Sequence, residues 1–155
     1  MEKISPHITY VEATFSQTAT KHRMENIPNT EQLAAMRLIA EKIFEPMRAH
    51  FNIPIAITSF FRTKQVNTLV GGAINSQHTK GEAMDINAAV LGGTTNAEIF
   101  HFIKNNLLFD QLIWEFGDHL NPDWVHVSYK LTGNKRQVLK SKKIGHNTKY
   151  ELWIG

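Results

Sequence analysis

Apolar residues recur at helical spacing in three segments of the chain. Between residues 31 and 50 they return every three or four positions, which predicts an amphipathic helix. Thr30 is suited to cap the N-terminus of this helix, and Pro46 should kink it or set off its last turn. The same spacing predicts a helix over residues 95–105 and a shorter one over 63–69, before a Gly-Gly pair.

A different period, with every second residue apolar, predicts strands in the second half of the chain. From residue 83 to 88 the apolar residues share one face and Asp85 lies on the other. Residues 125–129 repeat this pattern, with His126 on the polar face. Further strands are predicted over 52–59 and 112–116, with an edge strand over 149–154. Helices and strands mix without a βαβ rhythm, which indicates an α+β fold.

The stretch SQHTKGEAMDIN, residues 76–87, admits two interpretations. A helix would place His78 and Asp85 two turns apart on one face, but it would carry Gly81 in its interior at a cost of roughly 1 kcal/mol. The alternation that begins at Ala83 instead predicts a strand that carries Asp85, entered through a loop that carries His78. We favour the strand.

Composition limits the class of protein. The 155 residues, 42% hydrophobic and 20% charged, suit one globular domain over residues 1–155. No apolar run approaches the roughly 20 residues of a membrane span, and the N-terminus lacks the pattern of a secretory signal, so the sequence assigns no location. The absence of cysteine excludes thiolate ligands, and a metal site would use His, Asp or Glu.

The net charge of +3 is unevenly distributed, because the C-terminal segment 129–155 is rich in lysine. This segment is either a solvated tail or a surface that attracts a polyanion such as a cell-wall polymer. Aromatic residues are not interleaved with its charges until Tyr150, so base stacking is not indicated. We expect a monomer with no nucleic-acid or membrane partner.

Five residues together suit a catalytic zinc site. His78, Asp85 and His126 supply three ligands, and such sites keep a fourth position for water. Asp123, three residues before His126, is a candidate general base for that water. Arg62, just past the predicted strand 52–59, has a planar fork that suits a carboxylate or an oxyanion. His119 is expected to be an exposed loop residue.

The spacing Ser76-x-His78-x-x-Gly81-x-Ala83-x-Asp85, followed by Asp123-Trp124-Val125-His126, resembles the zinc D,D-peptidases. That family includes D-alanyl-D-alanine carboxypeptidases and phage L-alanyl-D-glutamate endopeptidases. The segment Thr58-Ser59-Phe60-Phe61-Arg62 is similar to the family's Arg-bearing strand end, and the resemblance runs over about residues 10–128. Phe60 stands where the family usually has Gly, and Asp123 stands where several members have Glu.

The resemblance implies a Hedgehog/D,D-peptidase-like fold, a small antiparallel sheet flanked by helices. It also implies one Zn²⁺ held by His78, Asp85 and His126, with Asp123 as base and Arg62 in catalysis and substrate binding. Ser76 and Gln77 are further candidates for substrate contact, or for hydrogen bonds within their loop only. The expected activity is hydrolysis of peptidoglycan stem peptides at the bacterial cell wall, by a carboxypeptidase or an endopeptidase. The alternative of another class is an inactive, zinc-containing wall-binding module.

Overall fold

A computed structural model describes residues 1–155. Its N-terminal part contains four short elements that periodicity does not predict. Strands β1 (Lys3–Ser5) and β2 (Ile8–Thr9) form a two-stranded sheet, and helices α1 (Tyr10–Thr14) and α2 (Gln17–Lys21) follow. Elements of two to five residues are too short to show a hydrophobic period, so only tertiary contacts identify them.

The long helix predicted over residues 31–50 is present. Both its first residue and its N-cap lie one position earlier than predicted. Helix α3 (Thr30–Ile39) continues through a π-helical segment (Ala40–Phe44) into α4 (Glu45–Phe51). The N-cap is Asn29 rather than Thr30, since Asn29 and Gln32 exchange hydrogen bonds of 2.8 Å in a capping box. Pro46 lies in the first turn of α4, directly after the π-helical segment. The proline therefore coincides with a local change of helix type.

Six strands form the main sheet in the order β3-β4-β6-β5-β7-β8. All neighbours are antiparallel except β5 and β7, which are parallel, so the sheet is mixed and the expectation of a purely antiparallel sheet is wrong. The strands are β3 (Ile57–Ser59), β4 (Ala83–Ile86), β5 (Gln111–Glu115), β6 (Trp124–Ser128), β7 (Gln137–Ile144) and β8 (Asn147–Leu152). The predicted strand 52–59 is shortened to its last three residues.

The predicted alternation in the two central strands is confirmed. Met84, Ile86, Val125 and Val127 are fully buried in one core cluster, together with residues of α3 and of α6 (Asn96–Asn106). The opposite face carries the polar residues. The remaining helix, α5 (Lys64–Leu69), is the short one predicted before the Gly-Gly pair.

The basic C-terminal segment is a β-hairpin and not a tail. Strand β7 pairs with β5, β8 pairs with β7, and the two are joined at Ile144 and Asn147. Beyond β8, Trp153 packs against Phe100 and Trp114 with ring centroids 5.2 and 6.3 Å away. Three lysines in the sequence of β7 obscured its strand character. No helix of the protein combines the length and apolarity needed to cross a bilayer.

Candidate metal centre

His78 lies on a short 3-10 helix, Gln77–Lys80, which ends at Gly81. Gly81 has φ +75°, in the left-handed region, and packs so closely on α3 that a Cβ there would lie 2.4 Å from the carbonyl oxygen of Gln32. Gln32 in turn donates from Nε2 to the carbonyl oxygen of Thr79 at 3.0 Å. The loop that carries His78 is therefore fixed against the first helix of the core.

The imidazole of His78 is buried, with 3% of its surface exposed, and its orientation is set by one hydrogen bond. Nδ1 lies 2.7 Å from the carbonyl oxygen of Phe60, just before Phe61 and Arg62. Because a carbonyl only accepts, Nδ1 carries a proton, so it is Nε2 that faces the site and that presents a lone pair when the ring is neutral. Such a bond is the usual way in which a protein orients a metal-binding histidine.

Asp85 and His126 lie opposite one another on β4 and β6, in register. Asp85 Oδ1 is 2.9 Å from His126 Nδ1 and 3.4 Å from His78 Nε2. The ligand-capable atoms of the three residues all lie within 4.8 Å of one another. Two imidazoles and one carboxylate that converge in this way are the donor set of a catalytic zinc site. The structure thus brings together the three residues that the sequence nominated.

The charge balance of the cluster keeps Asp85 ionised. Burial alone would raise the pKa of Asp85, but the charges and hydrogen bonds of His78 and His126 outweigh burial and hold that pKa well below its usual range. A carboxylate must be ionised to bind a metal ion, so the site has the ligand in its binding form. The residues present fit a divalent cation.

Arg62 follows β3 and its guanidinium belongs to the same site. Burial lowers the pKa of Arg62, and the negative charge of Asp85 acts in the opposite direction. Its Nε is buried without a hydrogen-bond partner. An unpaired buried donor of a charged group is costly, and a bound carboxylate or oxyanion would satisfy it.

The other candidates have partners within the protein. Ser76 Oγ accepts from the amide of His78 at 3.3 Å, and Gln77 Nε2 donates to Asp110 Oδ2 at 3.1 Å. The first bond lies within the loop and the second joins the loop to Asp110, and the role of both residues in substrate contact stays a prediction. His119 is exposed, as expected.

Asp123 is exposed immediately before β6. Its backbone is held on both sides, because its amide donates to the carbonyl oxygen of Glu115 at 2.8 Å and its own carbonyl accepts from Asn96 Nδ2 at 3.0 Å. Buried Asn96 also donates to the carbonyl of Pro122 at 3.1 Å. The position of Asp123 is therefore set by α6 and β5, and its role as a base stays a prediction.

Sequence patterning missed one acidic residue on the ligand-bearing face of the sheet. Glu115 ends β5 and is 5% exposed. The strand reads as a nearly continuous apolar run, QLIWE, because both of its faces are buried, and such a run does not say which way its last residue points. The signal that the sequence did offer for Glu115 was a charged residue at the end of an apolar strand.

Fold and cluster together describe an α+β domain with a site suited to a divalent metal. The sequence model of the peptidase M15 family matches residues 6–128, and the chain belongs to this peptidase family. Members of the family typically depend on zinc, and the matched range contains the whole His78, Asp85 and His126 cluster. No curated protein matches the chain. The β7–β8 hairpin lies beyond the matched range.

Proposed function

We propose that the protein is a zinc-dependent peptidase that hydrolyses peptide bonds in peptidoglycan stem peptides. The observation that carries this proposal is the convergence of His78, Asp85 and His126 beside Arg62, whose Nε is buried and unpaired. Membership of the peptidase M15 family supports the hydrolysis, and the sequence resemblance to D,D-peptidases supports the wall substrate and the Hedgehog/D,D-peptidase-like fold. Such an enzyme acts at the bacterial cell wall.

The proposed roles follow from the chemistry of each side chain. The three ligands would hold the ion, and zinc, when bound, supplies polarisation of the scissile carbonyl and makes the attacking water more acidic. Asp123 is the proposed base that takes a proton from this water. Arg62 binds a carboxylate of the substrate through its guanidinium.

Arg62 favours cleavage of the carboxypeptidase type, since a terminal carboxylate close to the scissile bond would pair with the guanidinium. An endopeptidase of the L-alanyl-D-glutamate type could use the same arginine for a side-chain carboxylate. A stem peptide with a free C-terminus and its C-terminal amide separate the two. We expect the amide to be cleaved about 10- to 100-fold more slowly, as the loss of a charge-assisted pair implies, and Arg62→Ala to abolish the difference.

The decisive experiment incubates the zinc-loaded protein with purified peptidoglycan and with a defined stem peptide, with products identified by mass spectrometry. We expect release of new amines by the wild type and none by Asp85→Asn. A wild type that is inert while zinc is confirmed bound would refute the peptidase proposal and favour a binding module. Release of free D-alanine would identify a carboxypeptidase, and an internal cut an endopeptidase.

A further inference from the structure

The face of the main sheet that carries the metal ligands continues across the sheet to its edge strand, β8. In register, Asp85 on β4 lies opposite His126 on β6, and His126 lies opposite Ile113 on β5. The same row runs on through Leu139 on β7 to Leu152 on β8. Residues that lie directly opposite one another in a sheet point to the same face, so this row joins the ligands to the edge strand.

A second row of residues lies beside the first on this face. Its members, one from each of four adjacent strands, are Trp124, Glu115, Ser141 and Tyr150. The hydroxyl of Ser141 donates to Glu115 Oε2 at 2.5 Å, so the two side chains do share a face and this carboxylate has a partner within the protein. The two rows connect the metal ligands with β8 on one continuous surface.

Strand β8 exposes apolar side chains on this surface. Tyr150 is 52% exposed and Leu152 is 65% exposed, and Thr148 precedes them at the same period of two. Lys149 and Glu151 lie on the opposite face, the side on which the central strands bury their apolar residues. A strand with one solvated face usually turns its apolar residues toward the core, and β8 does the reverse. We call Thr148, Tyr150 and Leu152 the β8 platform.

The charged face of β8 has partners within the hairpin, whereas the β8 platform has none in the core. The carboxylate of Glu151 lies 3.5 Å from Lys140 Nζ and 3.3 Å from Lys142 Nζ. Neither Tyr150 nor Leu152 belongs to the buried core cluster. An exposed apolar patch that is continuous with a site is typical of a ligand-binding surface.

Arg62 gives the direction in which a substrate would lie on this surface. It follows β3, which forms one edge of the sheet, while β8 forms the other edge. The metal ligands on β4 and β6 lie between these edges. A substrate whose C-terminal carboxylate pairs with Arg62 would place its scissile bond beside the ligands, and the rest of the peptide would extend over β6 toward β8.

The distance across the strands identifies the part of the substrate that reaches β8. Strand β8 is three strand spacings from β6, or about 14 Å at about 4.8 Å for each spacing. About four residues of extended peptide span the same distance. A stem peptide is joined to the glycan strand through its N-terminal end, so a peptide cut near its C-terminus brings its sugar to β8. A peptide cut next to the glycan would instead bring the sugar over β5.

We propose that the β8 platform binds the glycan strand of the substrate, an inference that rests on the proposed peptidase function. A pyranose ring presents C–H groups on its face and hydroxyls around its rim, and Tyr150 offers a flat apolar ring with a hydroxyl at its tip. Leu152 adds an apolar contact, and the hydroxyl of Thr148 can donate and accept hydrogen bonds. The platform lies outside residues 6–128, so the M15 family model does not describe it.

The first test compares two substrates that share one peptide, the free stem peptide and the same peptide attached to its disaccharide. With zinc-loaded wild type we expect kcat/KM to be about 10-fold higher for the glycan-linked substrate, mainly through a lower KM, because a contact remote from the scissile bond contributes equally before and during the reaction. Tyr150→Ala should bring the ratio of the two values close to 1. Tyr150→Phe keeps the ring and should keep the ratio.

Lys149→Ala is the matched control, because Lys149 is the exposed neighbour of Tyr150 on the opposite face of β8. It should keep the wild-type ratio. Leu152→Ala is a second test of the β8 platform that leaves the tyrosine in place. It should lower the ratio by about threefold, as the loss of part of an apolar contact implies.

A second readout does not depend on activity. Zinc-free protein labelled with ¹⁵N is titrated with peptide-free glycan oligosaccharides and followed by NMR. We expect shifts of the amide resonances of residues 148–152 that are lost in Tyr150→Ala and kept in Lys149→Ala. Polyphosphate is the comparison ligand, since the hairpin is rich in lysine. Equal shifts with polyphosphate would show attraction of any polyanion and overturn the assignment to glycan.

The outcomes separate this inference from the proposed function. An active wild type with equal kcat/KM for both substrates, or with the same ratio as Tyr150→Ala, refutes glycan binding and leaves the peptidase function intact. Cleavage at the bond next to the glycan, identified by mass spectrometry, does the same. A wild type that is inert on both substrates with zinc bound removes the peptidase function, and this inference with it.

Discussion

Gly81→Ala tests whether the close approach of the His78 loop to α3 shapes the metal site. A methyl group at position 81 would lie 2.4 Å from the carbonyl oxygen of Gln32 and 2.8 Å from Met36 Cγ. The left-handed backbone costs an alanine about 1–2 kcal/mol, and the reduced entropy of the unfolded chain returns about 0.4–1 kcal/mol. Overpacking against a backbone carbonyl adds about 1–3 kcal/mol. We expect a net loss of about 2–3 kcal/mol.

Gly71→Ala is the matched control. Gly71 has almost the same backbone angle, φ +74°, but no atom lies within 4 Å of the position that its Cβ would occupy. It should therefore lose only about 0.5–1 kcal/mol, the balance of the two backbone contributions. The difference between the two variants, about 2 kcal/mol, isolates the contact with α3.

The assay is urea unfolding of the metal-free proteins at 25 °C, with linear extrapolation to water. Zinc titration of the same samples should show weaker binding by Gly81→Ala than by Gly71→Ala, because Gly81 ends the 3-10 helix that carries His78. Free energies of unfolding that agree within about 0.5 kcal/mol, with equal zinc affinities, would refute the argument.

Three further predictions follow from the contacts of the site. Zinc at 100 times its Kd should stabilise the wild type by about 2.7 kcal/mol and raise Tm by about 5–11 °C, and Asp85→Asn should lose this increase in a thermal scan. Asn96→Ala, which leaves the buried carbonyl of Pro122 and the amide of Ala88 unpaired, should lower the free energy of unfolding by about 2–4 kcal/mol, whereas Asn106→Ala at the exposed end of α6 should lose less than about 1 kcal/mol. The pKa of Glu115 is raised by burial, so the native state binds the proton of this carboxyl more tightly than the unfolded state does. The contribution of Glu115 to stability is therefore present below its usual pKa of 4.5, and it is lost as the pH rises through the pKa of Glu115 in the native state. Urea unfolding of metal-free wild type and Glu115→Gln from pH 4 to 8 should show this loss only in the wild type, and parallel curves would contradict it.

Local patterning predicted the elements that are long enough to show a hydrophobic period and that bury one face. The helix that begins at Thr30 and strands β4 and β6 are examples, because each places its apolar residues on one side. Strand β7 was missed, since lysines fill positions that a strand at the centre of a sheet would give to apolar residues. Its parallel pairing with β5 is a long-range contact that no local period encodes.

The sequence alone determined the chemistry that is available to the site. The spacing of His78, Asp85 and His126 nominated the three ligands, because the alternation of β4 and β6 fixes the face on which Asp85 and His126 point. Tertiary structure decided what local patterns do not contain. It supplied the Phe60 carbonyl that orients His78, the burial that leaves Arg62 Nε unpaired, and the hairpin that brings Ser141 to Glu115. These features depend on contacts between residues far apart in the chain, and such contacts exist only once the sheet has assembled.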